Sequence, residues 1–94
     1  AARAPWRLDR DRAALLIHDM QGYFCAAFAP GALDPVVAHI AALADAAREA
    51  GVPVFYTAQN GDQDRRDRGL QADLWGPGMR ARPADQAIIA PLAP

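Results

Sequence analysis

Residues 15–24 read LLIHDMQGYF. A run of strand-type residues ends on an acid, Asp19, and the amide Gln21 and the aromatics Tyr23 and Phe24 follow it. A buried parallel strand delivers a carboxylate in this way to the carboxyl edge of an α/β sheet, where such folds place their ligand crevices. An acid held there among apolar neighbours can stay protonated near neutral pH and act as a proton donor. Asp19 is therefore the first candidate for chemistry.

Outward from this stretch, Ala13–His18 is predicted to be a strand buried on both faces. Tyr23–Pro30 reads as an apolar loop or a short helical turn. Asp34 before Pro35 predicts a helix start, with the acid as N-cap and the proline at the first helical position. That helix is expected over Pro35–Ala50. Val36, Val37, Ile40, Leu43, Ala44 and Ala47 form its apolar stripe, and Gly51 is its C′ stop. Val52–Ala58, VPVFYTA, is predicted to be the second strand. The strand–helix–strand order implies a parallel crossover. Residues 60–69, NGDQDRRDRG, read as a polar loop, and LQADLWGPGM as one helical turn stopped by Gly76-Pro77-Gly78. Pro83–Ala90 is either a short helix started by Pro83 or an incipient strand.

The chain has 94 residues, a formal net charge of −1 and 52% hydrophobic residues. One small globular domain is the most this length accommodates, burying about 60–65% of its extended-chain surface. The near-neutral charge gives no reason to expect nucleic acid or an anionic membrane as a partner. Cys25 is the single cysteine and has no internal partner for a disulfide, which fits a reducing cytoplasm. No apolar run approaches the roughly 20 residues that span a bilayer. Residues 1–12, AARAPWRLDRDR, lack the apolar core of a signal peptide and read as a polar lead-in. Two strands and one long helix leave a sheet face uncovered. The chain is thus expected to be the front part of a larger α/β domain, or to need a partner over that face.

Three motifs in order, HDMQ, YTAQ and WGPG, resemble the front half of the isochorismatase-type hydrolases across about residues 6–94. The segment WGPGMRARPADQAIIAPLAP is most similar to the phenazine-pathway branch of that family. The resemblance implies a three-layer α/β/α Rossmann-like sandwich around a parallel sheet, of which residues 1–94 are the N-terminal portion. It implies hydrolysis of the enolpyruvyl (vinyl) ether of isochorismate or its 2-amino-2-deoxy analogue, releasing pyruvate in siderophore or phenazine biosynthesis. It also implies a small dianionic substrate, no metal or organic cofactor, and a homo-oligomer such as a dimer. The family's catalytic aspartate falls on Asp19. Its substrate-contacting glutamine, arginine and tryptophan fall on Gln59, Arg68 and Trp75, and Phe24 is placed in the core or on the pocket wall.

The residue types suit the chemistry. Cleaving a vinyl ether requires protonation of its terminal carbon, so the donor must be an acid that still carries its proton. Arg68 suits a carboxylate through its planar fork. Trp75 offers a flat apolar wall, and Gln59 an amide donor at the end of the second strand. The departures are equally definite. All ten basic residues are arginines, whereas the family has a catalytic lysine in a strand beyond this segment. Gly22 stands where a larger residue is expected after the glutamine, which predicts a looser loop. Without the resemblance, Arg68 in DRRDR reads as a solvated charge, Trp75 as a core plug and His18 as a hydrogen-bonded histidine at a strand end. A non-catalytic binding or scaffolding paralogue is the alternative function. An amidase of the cysteine-hydrolase group is weaker, because Cys25 is not at that group's nucleophile position.

Overall fold

The computed structural model describes residues 3–94. Two short strands, β1 (Leu15–His18) and β2 (Val54–Thr57), pair in parallel, with Leu15 opposite Val54 and His18 opposite Thr57. Around them stand five helices: α1 (Gly22–Cys25), α2 (Asp34–Glu49), α3 (Arg65–Arg68), α4 (Leu70–Trp75) and α5 (Pro83–Gln86). Single 3-10 turns occupy Arg10–Arg12 and Ala90–Leu92.

The pleat sorts the strand residues by face. Leu15, Ile17, Val54 and Tyr56 turn toward α2, whose Val37, Ile40, Ala41 and Ala44 pack on them. Leu92 packs into the same small core, and Ile17, Ala44 and Leu92 are its buried members. The opposite face is open. Leu16 and Phe55, adjacent in register, are 58% and 55% exposed. The expectation of a first strand buried on both faces is thus corrected, because a single helix covers one face only. The expected stripe of α2 is likewise too wide, since Val36 and Leu43 remain exposed. The radius of gyration, 16.1 Å, exceeds the about 12 Å of a compact domain of this length.

The ends of α2 show how local chemistry sets its limits. Gly51, at a φ of 75°, donates its N–H to Arg48 O, and Val52 N–H donates to Ala47 O. This pair of bonds is a Schellman stop, which requires a left-handed residue at the glycine position. At the other end, Asp34 does not cap the helix. The turns before it close hydrogen bonds early, so Leu33 is the N-cap and Asp34 lies in the first turn beside the helix dipole. The polar loop expected over residues 60–69 contains α3, separated from α4 by Gly69. Pro83 does start a helix, and Ile88 then forms an antiparallel bridge with Gln21, so both readings of this segment hold in part.

That bridge joins the end of the described chain to the segment behind β1. Gly22 N–H donates to Ala87 O, and Ile89 N–H donates to Met20 O. A Cβ on Gly22 would overlap the Ala84 carbonyl oxygen. The loop after Gln21 is therefore tighter than a missing side chain suggests, and glycine is there because α5 lies against its backbone.

Gln21 is fully buried. Its Nε2 donates to Gln59 O at 2.8 Å and to Gln86 O at 2.7 Å, and its Oε1 accepts from Gln59 N–H at 2.9 Å. Replacing it with methionine keeps the volume and leaves two carbonyls and one N–H without these partners. In the intact protein, Gln21→Met is expected to cost about 3–5 kcal/mol, read as a lower denaturation midpoint. A loss below about 1 kcal/mol would mean that water or other groups take over these bonds. The open face makes a second prediction. The 94-residue chain produced alone is expected to self-associate or melt without a sharp transition, and a monodisperse monomer melting cooperatively would contradict this.

Candidate active site

The carboxyl ends of β1 and β2 carry the polar residues. Immediately after β1, Asp19 adopts a φ of 50°. This is the left-handed region, which aspartate enters more readily than most residues but still against a steric cost. The turn brings both its backbone and its side chain onto Thr57, the last residue of β2. Asp19 N–H donates to Thr57 Oγ1 at 2.9 Å and to Thr57 O at 3.2 Å. Thr57 Oγ1 donates to Asp19 Oδ1 at 2.9 Å, and Gln59 Nε2 donates to Asp19 Oδ2 at 3.2 Å. Each carboxyl oxygen therefore has its own donor, and the side chain is 18% exposed.

His18 is beside them. Its Nδ1 is 2.8 Å from Thr57 Oγ1 and its Nε2 is 3.6 Å from Asp19 Oδ2, the ring being largely exposed. It is the hydrogen-bonded strand-end histidine that its position in the sequence suggests.

Gln59 connects this cluster to a cleft. An open hollow of about 460 Å³ is lined by Phe24, Gln59, Arg68 and Trp75, together with Tyr23 and Met79. Asp19 itself is not part of that lining and meets it through the Gln59 amide. Four of the five residues singled out by sequence thus share one cavity, and the fifth is bonded to it.

Arg68 is not a freely solvated charge of the DRRDR run. It is half-buried, and its Nε donates to Gly76 O at 3.0 Å, which folds the guanidinium back over the turn after α4 and against Gly78. Arg65, by contrast, forms an exposed ion pair with Asp73. Trp75, at the end of α4, is 75% exposed and does not plug the core. Phe24 stands edge-on to Tyr23, with ring centroids 5.2 Å apart.

Three participants escape a reading of the sequence. Tyr23 and Gln71 line the cleft, and Thr57 holds the carboxyl. Only the threonine had a signal: a hydroxyl residue at the end of an apolar strand, two positions before an amide. Among the described residues, no three His, Cys, Asp or Glu side chains gather as a metal set would require. No described helix is long and apolar enough to cross a membrane.

The arrangement is a carboxyl held at a strand end, an amide that reaches from it into a mainly apolar cleft, and a guanidinium in the wall of that cleft. Such a cleft suits a small molecule with an apolar body and an anionic group. The family model for the isochorismatase domain matches residues 13–94. The phenazine biosynthesis protein PhzD of Pseudomonas fluorescens is 46% identical over 91 residues, covering 97% of this chain and 44% of that protein. The isochorismatase of Bacillus subtilis is 47% identical over 95 residues, covering 98% of this chain and 30% of the relative. Enterobactin synthase component B of Escherichia coli is 42% identical over 94 residues, covering 98% and 33%. The chain thus spans less than half the length of these curated relatives. With its parallel strand pair, its covering helix and this match over nearly all of its length, the chain has a Rossmann-like α/β fold and belongs to the isochorismatase family of hydrolases.

Proposed function

We propose that the protein hydrolyses the enolpyruvyl ether of isochorismate or of 2-amino-2-deoxyisochorismate, with Asp19 as the general acid. One observation carries this reading above the others. Asp19 is turned through a left-handed backbone onto Thr57 and Gln59, and Gln59 continues into the cleft that holds Phe24, Arg68 and Trp75.

In this mechanism, the Asp19 proton moves to the terminal CH2 of the vinyl ether. The resulting oxocarbenium ion lies beside the carboxylate, which stabilises it. Water adds to the cation and returns a proton to Asp19. The hemiketal then collapses to pyruvate and the ring alcohol, for a net addition of one water. Carbon accepts protons slowly, so a positioned acid contributes a large share of the rate. In this reading the terminal nitrogens of Arg68 hold a substrate carboxylate while its Nε donates to Gly76 O. Trp75 and Phe24 supply flat walls for the ring.

Residues 13–94 constitute, in this reading, the front of one hydrolase domain, with residues 1–12 as a lead-in. The intact protein works in the cytoplasm as a homo-oligomer, on a small dianionic substrate. The relatives named for phenazine biosynthesis, for isochorismatase and for enterobactin synthesis support the substrate class.

Pyruvate release by the intact protein, followed through its coupled reduction, tests the reading. Asp19→Asn is expected to lower kcat by about 100- to 10,000-fold with little change in KM, and undiminished turnover in that variant would refute the assignment. Saturable binding of isochorismate by the unaltered protein without turnover would point instead to a binding role. Arg68→Met is expected to raise KM by about 10- to 100-fold with a smaller effect on kcat. An unchanged KM would remove Arg68 from substrate binding.

A further inference from the structure

The Thr57 hydroxyl sits at the centre of three contacts. It accepts from Asp19 N–H at 2.9 Å, and it faces Asp19 Oδ1 at 2.9 Å and His18 Nδ1 at 2.8 Å. A hydroxyl has one proton, so it can donate to the carboxyl or to the imidazole but not to both. The two arrangements differ in which oxygen of Asp19 is left to carry the acidic proton.

If His18 holds its proton on Nδ1, it donates to Thr57 Oγ1, and the hydroxyl proton must turn to Asp19 Oδ1. That oxygen is then an acceptor, and the transferable proton resides on Oδ2, beside Gln59 and the cleft. If His18 holds its proton on Nε2, its bare Nδ1 takes the hydroxyl proton. Oδ1 must then be the protonated oxygen, donating back to Thr57, and the acid points away from the cleft. Nε2 lies 3.6 Å from Oδ2, too far for a hydrogen bond that would decide the matter otherwise.

We propose that Thr57 and His18 are positioning residues, which place the acidic proton of Asp19 on Oδ2 through an Nδ1–H···Oγ1–H···Oδ1 chain. This rests on Asp19 being the acid and adds which of its oxygens acts and what selects it. The residues that build the chain are fixed by the sheet, since His18 and Thr57 are register partners on one face of β1 and β2. Neither lines the cleft, so in this proposal both act through the carboxyl.

The test combines a spectroscopic and a kinetic measurement on the intact protein. With histidine labelled at the ring nitrogens, NMR is expected to show neutral His18 as the Nδ1–H tautomer and to show this preference lost in Thr57→Val. The Nε2–H tautomer in the parent protein would overturn the proposal. In the pyruvate assay, Thr57→Val is expected to lower kcat by about 10- to 100-fold with KM within about twofold. Thr57→Ser, which keeps the hydroxyl, is expected to recover kcat to within about threefold. His18→Leu, which removes the ring donor, should fall with Thr57→Val. Parent-like kcat in Thr57→Val alongside an inactive Asp19→Asn would sink this proposal and spare the general-acid reading. An active Asp19→Asn would sink that reading itself.

Discussion

One buried amide sets the geometry at the sheet edge. Gln21 leaves the segment behind β1 and bonds the backbone of Gln59 through both its nitrogen and its oxygen, as a neighbouring strand would. Its nitrogen also takes the Gln86 carbonyl at the end of α5. An amide without partners in such a place would be costly to bury, and here its three bonds offset that cost. They also bring Asp19 and Gln59, separated by forty positions in sequence, to a fixed distance across the sheet edge. The Gln86 side chain extends the same lattice to Gly61 N–H. The two arms of the cleft are thus tied by polar bonds, because the hydrophobic core beneath them is small.

The Asp19 backbone follows from the same constraint. After β1 the chain must turn to reach Gln21 without losing the ladder bond from Asp19 N–H to Thr57 O. A left-handed residue achieves this, and aspartate tolerates it because its short side chain can bond locally. The strain is held in place by bonds on both carboxyl oxygens and on the amide. Strained residues of this kind persist where their surroundings over-determine them. Gly22 belongs to the same device, since a Cβ there would overlap the Ala84 carbonyl oxygen of α5, the helix whose Gln86 bonds Gln21.

Much of this was legible in the sequence where the signal is local. The Gly51 stop of α2, the two strands and the helical turn before Gly76 follow from periodicity and backbone preference. Asp19 came from its place behind a strand and from the family resemblance, Gln59, Arg68 and Trp75 from the resemblance, and Phe24 as an aromatic of the core or pocket wall; the last four line one cleft, to which Asp19 is bonded through Gln59. What was not legible depends on contacts between distant segments. Gln21 is an ordinary polar residue in the chain and becomes the central cross-link only when Gln59 and Gln86 arrive beside it. Gly22 suggests slack until α5 is placed on it. The width of the α2 stripe was overestimated because hydrophobicity marks residues that could be buried, whereas Val36 and Leu43 stay exposed.

The open sheet face and the candidate site are physically connected. Leu16 and Phe55 point to the same side of the sheet as His18 and Thr57, one pleat further along each strand. A layer packed on the two apolar side chains would therefore also lie against the His18–Thr57 pair. Excluding water there would strengthen the hydrogen bonds that converge on the threonine hydroxyl. It would also restrict the imidazole, which is largely exposed in these 94 residues. The exposed apolar pair and the His18–Thr57 pair are therefore parts of one sheet face, and whatever packs on the first also screens the second from water.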